Sequence, residues 1–358
     1  MEHGPSEGKA VNDLEDTRQQ ENRLMDLRTL AKKAAFQIAG AEFILRRKEV
    51  VQPVILLYHG VAGKKPVGFC NVEGKHVYKD RFAKQIRAIK RHFRIVPLDQ
   101  LLDAIEQKDV DTRMVSLTFD DGFYNNYAEA APILADLGVS ATFFISTGYI
   151  DKNRWMWTDL LESALDRTSE TRCDWGGEKD ISIKTLREKL SVLKRIKREL
   201  KKRSLEESEE LTEHFQRHLK VDDLAPYEDY RFMTWREVRE LSDGGFGVGA
   251  HTVNHPILSQ IGFEDAQKEI LNSAREIVAK IGGCSDVFCF PNGKSEDYSP
   301  ELVDVCRKNF RAALSANPGG VFPSEMYELR RLGVANSTRP RSLLWWMAKQ
   351  AGQSSNKC

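Results

Sequence analysis

Two segments of the sequence combine carboxylates and imidazoles, the side chains from which catalytic metal sites are built. Residues 116–122 read SLTFDDG, an apolar run that ends in Asp120 and Asp121. The segment HTVNHP contains His251 and His255, four residues apart. Two histidines and one carboxylate can hold a metal ion and leave room for water and a substrate oxygen, while the second carboxylate accepts a proton. Together the two segments predict metal-assisted hydrolysis.

Each segment taken alone has a simpler interpretation. Asp-Asp-Gly after a strand is a favourable turn, and a histidine pair can serve capping and packing. The ligand types also leave the element open, because histidine nitrogens suit zinc, cobalt, nickel or iron. The prediction of a metal site therefore depends on the two segments meeting in the fold.

The elements that must position these residues are short apolar runs. Continuous apolar runs are typical of parallel strands that are covered on both faces, and here amphipathic helical segments separate them. This alternation predicts a parallel α/β sheet or barrel, in which the carboxyl ends of the strands line the ligand-binding crevice. The predicted strands are residues 54–58, 114–119, 141–146, 247–250 and 287–290, and the predicted helices include residues 80–93, 128–137, 234–243 and 263–281.

One region departs from this alternation. Residues 160–230 contain no strand candidate, and much of the region is a highly charged helical stretch. We interpret it as a helical insertion, mostly a solvated helix pair with mixed charges. His214 and His218 in this stretch share the four-residue spacing of the other pair, but no strand end lies nearby, which favours an exposed helix face.

The composition excludes several classes of protein. Of the 358 residues, 41% are hydrophobic and 30% charged, as in globular proteins. The net charge of +1 gives no bulk basicity, so nucleic acid is not the expected partner. The six cysteines are scattered along the chain, which favours a reducing compartment over a disulfide framework.

Residues 1–49 form a predicted N-terminal extension. Their polar beginning excludes an ordinary secretory signal, so we expect a cytoplasmic protein. Residues 34–45 are an apolar stretch with basic flanks, too short for a membrane span of roughly 20 residues. A helix packed on the protein's own body is favoured; the alternative is an amphipathic helix at the inner face of a membrane. Residues 341–358 form a predicted tail, and the exposure of its LLWWMA patch is open.

The motifs SLTFDDG, HTVNHP and FCFPNG occur in this order and resemble the signature motifs of the polysaccharide deacetylase family (NodB-homology, carbohydrate esterase 4-like). The segments LLYHGV and ATFFISTGYI add to the resemblance, which covers residues 50–335 and is nearest to bacterial exopolysaccharide and poly-N-acetylglucosamine deacetylase-like members. It implies a domain over residues 50–340 with the fold of a distorted (β/α) barrel of seven or eight parallel strands.

The resemblance also implies roles for individual residues. Asp120 matches the general base of the family, and Asp121, His251 and His255 match its metal ligands, usually for zinc. The implied substrate is an N-acetylated saccharide, an N-acetylglucosamine-type unit or glycan precursor, which loses its acetyl group to a metal-activated water.

The FPNG turn matches the part of the family's site that binds the oxyanion. Asn292 lies where the family supplies a backbone N–H to the tetrahedral intermediate. Pro291 and Gly293 flank it in the same turn. We expect these three residues to lie beside the reacting carbonyl.

The sequence departs from the family pattern at two places. Many members carry an arginine that orients the base, and here Cys289 occupies that position. Arg331 is our candidate for the missing charge; the alternative is an ordinary surface arginine. The usual C-terminal histidine is also absent, since no histidine follows His255. His59, at the end of the first strand, is our candidate proton donor, and a structural histidine is the alternative.

Two other functions stay open at this point. A non-catalytic carbohydrate-binding protein on the same fold would fit the two departures, although an intact set of metal ligands opposes it. A hydrolase of a non-sugar amide would use the same chemistry. The sugar, its carrier and the oligomeric state are not determined by the sequence.

Overall fold

The computed structural model describes residues 52–64, 69–110, 113–152, 154–221 and 227–351. The N-terminal extension, with its predicted amphipathic helix, and residues 352–358 lie outside this description. Among the described helices, none has the length and apolar character that crossing a bilayer demands.

The centre of the fold is a sheet of eight strands, all paired in parallel, in the order β11-β10-β9-β6-β5-β1-β12 with β4 paired to β5 beside this path. The sheet curls into a distorted barrel with helices around it, which confirms the predicted fold class. In chain order the strands are β1 (Val54–Tyr58), β2 (Gly60–Ala62), β3 (His76–Tyr78), β4 (Arg94–Ile95), β5 (Met114–Phe119), β6 (Thr142–Ile145), β7 (Arg172–Trp175), β8 (Glu178–Ser182), β9 (Gly247–Ala250), β10 (Val287–Cys289), β11 (Ala312–Leu314) and β12 (Leu332–Gly333).

Burial on both faces explains why the central strands are continuous apolar runs. Every residue of β1 and of β5 is buried. The two strands pair in register from Val54 opposite Val115 to Tyr58 opposite Phe119, so they end at the same level. Asp120, the next residue, donates its backbone N–H to the Tyr58 carbonyl at 2.9 Å. The side chains that follow β1 and β5 therefore share one rim of the barrel.

The helices surround the sheet and mostly confirm the predicted segments. One difference is that the predicted helix at residues 128–137 begins with a π-helical turn, Asn126–Ala130. The helices are α1 (Lys79–His92), α2 (Leu98–Glu106), α3 (Ala131–Asp136), α4 (Trp157–Arg167), α5 (Leu186–Leu200), α6 (Leu205–His218), α7 (Trp235–Asp243), α8 (Phe263–Ile281), α9 (Pro300–Asn309) and α10 (Pro340–Ala351).

Helix α10 answers the question of the C-terminal apolar patch. Leu343 and Met347 are buried in the main core, where α10 packs on α1 and β1. Trp346 points away and is 40% exposed. The patch is thus divided between the core and the surface, and the packed body extends beyond residue 340.

The region between β6 and β9 forms a subdomain with its own apolar cluster, built from α4, α5, α6 and the strands β7 and β8. Our expectation of no strand in residues 160–230 is wrong, because β7 and β8 form an antiparallel hairpin. Its strands are largely exposed, so they lack the apolar run by which buried strands are predicted. Gly176 and Gly177 make its two-residue turn with φ of 60° and 83°, and this Gly-Gly pair is a hairpin signal in the sequence.

Candidate active site and metal centre

The predicted site residues follow the carboxyl ends of parallel strands at one rim of the barrel. Asp120 and Asp121 follow β5, His251 follows β9, and the FPNG turn follows β10. Asp121, His255 and Asn292 have backbone φ of 79°, 57° and 56°, a left-handed conformation that is uncommon outside glycine. Strained backbone of this kind concentrates at functional sites because the surrounding fold must hold it in place.

Asp121, His251 and His255 converge on one point. Asp121 Oδ1 lies 3.6 Å from His251 Nε2 and 3.3 Å from His255 Nε2. This oxygen is buried and receives no hydrogen bond among the described residues. His251 Nδ1 donates to the Cys289 carbonyl at 2.7 Å, so the proton is on Nδ1 and the Nε2 lone pair faces Asp121. An unpartnered carboxylate oxygen between two imidazole nitrogens fits a divalent metal ion.

Burial and neighbouring charges control the protonation of His251 and Asp121. Burial lowers the pKa of His251 to about 4, so the imidazole is neutral, as a metal ligand must be. Burial alone would raise the pKa of Asp121, but Lys75 and His255 outweigh it and hold that pKa well below the usual range. The carboxylate is therefore ionised at neutral pH.

A second group of possible ligands, Asp120, His251 and Cys289, overlaps the first. It fits a metal less well, because both oxygens of Asp120 already accept hydrogen bonds from Arg331. Burial and the neighbouring carboxylates raise the pKa of the Cys289 thiol well above its usual range, against the opposing effect of Arg331. A thiol binds metal as thiolate, so the trio containing Asp121 is the better donor set.

Arg331 forms a bidentate pair with Asp120 and is not a surface arginine. Its Nη1 and Nη2 atoms lie 2.7 and 2.8 Å from the two carboxylate oxygens, and the residue is only 1% exposed. Its Nε donates to the Ser315 carbonyl at 2.8 Å, which fixes the plane of the guanidinium. Burial would raise the pKa of Asp120, but the guanidinium lowers it below the ordinary value. Arg330, by contrast, pairs with Glu325.

The position of Arg331 follows from the way the barrel closes. Leu329 forms a parallel bridge with Leu314 of β11, and three residues later, at Leu332, the chain enters β12 beside β1. Arg331 lies in this crossing segment between the two ends of the sheet order. From this position its guanidinium reaches the carboxylate of Asp120, directly after β5.

His59 follows β1 at the same rim and is half-buried. Burial lowers its pKa, and the carboxylate of Asp121 opposes that shift. The carboxylate of Asp120 acts in the same direction as Asp121. The imidazole therefore lies within the electrostatic reach of both aspartates.

The FPNG turn lies at the edge of the site. Pro291 and Gly293 are buried. Gly293 has φ of 74°, and a Cβ there would come within 2.8 Å of the Ala316 backbone nitrogen, so only glycine fits. The hydrogen bonds among the described residues include none from the Asn292 backbone N–H, which leaves that donor available. The Asn292 side chain accepts from Lys201 at the end of α5, at 3.1 Å.

A cleft separates the rim from the helical subdomain. His255 and Asn292 line it on the barrel side, and Trp157, Lys201 and Arg203 on the subdomain side. The insertion therefore contributes a wall to the space beside the predicted metal ligands.

Sequence reasoning missed Lys75, whose ammonium lies 3.0 Å from Asp121 Oδ2 and 3.4 Å from Asp159 Oδ2. Burial would lower the pKa of this lysine, but the two carboxylates raise it above the usual range. Lys75 lies in the loop between β2 and β3, far along the chain from both partners. Nothing local in the sequence distinguishes it from an exposed lysine.

Glu269 of α8 was also missed. Its Oε2 accepts the backbone N–H groups of Val253 and Asn254, each at 2.8 Å, and its Oε1 accepts from the Asn254 side chain at 2.8 Å. This clamp holds the HTVNHP loop in the shape that presents His255. On an amphipathic helix rich in acids, one glutamate gives no separate signal.

His214 and His218 lie exposed on α6, and neither belongs to a group of possible metal ligands among the described residues. His218 Nε2 accepts the backbone N–H of Asp174 at 3.1 Å, a contact within the subdomain. The predicted exposed helix face is confirmed for this pair.

The barrel and its rim define the class of protein: an α/β barrel with a cluster of carboxylates and imidazoles at the carboxyl ends of its strands. The family model described as polysaccharide deacetylase matches residues 107–309, more than half of the chain. The chain belongs to the polysaccharide deacetylase family. No curated protein matches it.

Solved structures with the same fold include deacetylases from several bacteria. The Streptococcus pyogenes deacetylase PplD is 17% identical with a TM-score of 0.55, over 83% of this chain and 98% of that one. IcaB from Ammonifex degensii is 15% identical with a TM-score of 0.55, over 84% and 98%. The de-N-acetylase from Aggregatibacter actinomycetemcomitans is 14% identical with a TM-score of 0.51, over 82% and 99%. At these identities the likeness concerns the fold.

Proposed function

We propose that this protein is a metal-dependent N-deacetylase that hydrolyses the acetamido group of an N-acetylated sugar and releases acetate. The observation that carries the proposal is the Asp121 Oδ1 atom, buried and unpartnered between His251 Nε2 and His255 Nε2. Family membership supports the deacetylase chemistry, and the donor set supports its metal dependence.

Asp121, His251 and His255 would hold the ion. Their donor types favour zinc, and cobalt, nickel and iron also suit imidazole and carboxylate. When bound, the metal polarises the acetyl carbonyl and makes a water molecule more acidic. Asp120 accepts the proton of that water. Arg331 keeps this carboxylate ionised and in one orientation, because both of its oxygens are bonded to one rigid fork.

The remaining steps use two residues that flank the carboxylates. The Asn292 backbone N–H stabilises the negative oxygen that develops on the acetyl carbon, and the tight turn around Gly293 holds it in place. His59 in its protonated form gives a proton to the leaving amine as the C–N bond breaks, and it takes another proton from solvent afterwards. It acts in place of the family's C-terminal histidine, since no histidine follows His255. Its position at the end of β1 places it on the same rim as Asp120.

The proposed substrate is an N-acetylglucosamine-type saccharide or glycan precursor that enters the cleft beside the helical insertion. Two alternatives use the same residues: a carbohydrate-binding protein without catalysis, and a hydrolase of a non-sugar amide. A cytoplasmic location and contact of the N-terminal helix with the inner membrane stay predictions from the sequence.

The test is acetate release by the zinc-loaded protein from short N-acetylglucosamine oligomers, beside a non-sugar acetamide of similar size. We expect release from the oligomers, loss of activity with a chelator, and recovery with added zinc. Bound metal without release from either compound would favour the binding protein. Release from the acetamide alone would favour the amidase.

A further inference from the structure

We propose that Lys75 is an internal counter-ion of Asp121 that competes with the divalent metal for the charge of this carboxylate and so weakens metal binding. The inference rests on the proposed function, because it assigns a residue that regulates the same metal site. Lys75 belongs neither to the metal trio nor to the residues implied by the family motifs.

The geometry places Lys75 on the far side of Asp121 from the imidazoles. Its Nζ lies 3.0 Å from Asp121 Oδ2, whereas the imidazole nitrogens approach Oδ1. The side chain is 23% exposed and its Nζ lies 4.4 Å from the centre of the Phe123 ring. Little water separates this ammonium from the carboxylate, so screening is weak.

The loop that carries Lys75 is braced, so the ammonium has a defined position. The Asn71 side chain donates to the His76 carbonyl at 2.8 Å and accepts from the His76 N–H at 2.9 Å, which closes the loop around Lys75. The Gly74 carbonyl accepts from the Asn336 N–H at 2.8 Å. Asp159 of α4 holds the ammonium from the other side at 3.4 Å.

Two physical effects of Lys75 on metal binding have opposite signs. By holding Oδ2 it orients Asp121, which favours the metal; as a cation beside the site it repels the metal. The backbone that carries the Asp121 carboxylate is held without Lys75: the residue is 2% exposed, its φ is 79°, and its carbonyl accepts from the Ser146 N–H at 3.3 Å. Repulsion is therefore the larger effect, so Lys75 lowers the affinity of the site for the metal. When no metal is bound, its positive charge balances the buried negative charge of Asp121.

A pair of variants with opposite expected results tests this inference. Lys75→Met keeps the aliphatic stem and removes the charge, so Zn²⁺ should bind about tenfold more tightly or better once the repulsion between the two cations is gone. Asp159→Asn leaves the ammonium without its second carboxylate, makes the site more positive, and should weaken Zn²⁺ binding. The measurement is competition with a chromophoric chelator at pH 7, repeated with Co²⁺ and its absorption spectrum, on the full chain.

Lys197→Met is the matched control. Lys197 is 15% exposed and lies 3.0 Å from Glu162 and 2.8 Å from Glu73, but contacts no proposed metal ligand. The Lys197→Met substitution should lower the melting temperature of the protein and leave its Zn²⁺ dissociation constant unchanged. If Lys75→Met does not stay folded without metal, it is purified with Zn²⁺ and the rate of removal by chelator is compared with that of the wild type, with slower removal expected.

Two results would overturn the inference. Equal or weaker Zn²⁺ binding in Lys75→Met would contradict repulsion by the lysine, and weaker binding would assign it an orienting role. Tighter Zn²⁺ binding in Asp159→Asn would also contradict repulsion. Failure of the proposed function gives different results. If the wild type binds neither Zn²⁺ nor Co²⁺, the proposed metal site is wrong, and this inference is wrong with it. If the wild type binds metal but releases no acetate, the affinities of the variants still test this inference.

Discussion

Asp120 and Asp121 are neighbours in the chain, have the same side chain and are both buried, yet their surroundings differ. Both oxygens of Asp120 are bonded to the planar fork of Arg331. Asp121 shares one oxygen with the ammonium of Lys75 and keeps the other free toward two imidazoles. A bidentate guanidinium occupies a whole carboxylate, whereas a point charge occupies one edge. The partner cation, more than the aspartate, decides which of the two can bind a metal.

The two cations also come from different parts of the molecule. Arg331 lies in the segment that closes the barrel and is buried there. Lys75 comes from the loop between β2 and β3 and is held from the other side by Asp159 of α4, in the helical subdomain. The Asp120 half of the site is therefore built by the barrel alone, while the Asp121 half depends on the subdomain as well.

Replacing the two aspartates in turn should give the largest effects and separate their roles. Asp121→Ala should lose bound zinc and reduce kcat by on the order of 10⁴-fold or more, because the ion and its activated water go together. Asp120→Asn should keep zinc and reduce kcat by about 10²- to 10⁴-fold, the scale of one general base. Metal analysis and acetate release on both variants check this. Equal zinc content in the two variants would contradict the division of roles.

Replacing the arginine tests how far Asp120 depends on its partner. Arg331→Met should cost about 3–5 kcal/mol of unfolding free energy, since it leaves a buried carboxylate without compensation. Arg331→Lys should recover only part of this, because an ammonium cannot bond both oxygens. Urea unfolding in the presence of a chelator measures both. Full recovery in the lysine variant would show that charge alone matters on this side of the site.

His59 connects the two aspartates, because the charges of both act on its imidazole. His59→Ala should reduce kcat by about 10²-fold through loss of the proton donor, with zinc content unchanged. Acetate release and metal analysis provide the measurement. A change of only a few-fold would assign His59 a structural role.

The smallest expected effect concerns stability as a function of pH. The folded pKa of Asp120 is lowered, so its ionisation stabilises the fold above the ordinary pKa of about 3.9, and this contribution is lost as the pH falls through the folded pKa. Without metal, Asp120→Asn should therefore be less stable than the wild type at pH 7, and the difference should shrink below about pH 4. Thermal unfolding across this range measures the difference; a gap that is constant with pH would exclude this source of stability.

Much of the barrel was predictable from the sequence. Strands β1, β5 and β9 have the predicted bounds, because a strand buried on both faces is mostly apolar. The two buried hydroxyls of β5, those of Ser116 and Thr118, donate to the backbone carbonyls of Val96 and Leu56. Helix α8 also has its predicted bounds, and α7 begins directly after Thr234, whose side chain caps the helix by accepting from the Glu237 N–H. The hairpin of β7 and β8 was missed, since exposed strands carry no apolar run and only the Gly-Gly turn indicated them.

The residues that meet at the rim were predictable from the sequence, because strand ends and motifs are local features that a few consecutive residues encode. Asp120, Asp121, His251 and His255 were identifiable in this way. Which cation each aspartate receives was not predictable, because it depends on the tertiary structure. Arg331 is 211 residues from Asp120, and a long flexible side chain reveals its partner only when the backbone has fixed its direction. The roles of Lys75 and Glu269 were likewise not predictable from the sequence, because they depend on contacts between segments that are distant in the chain.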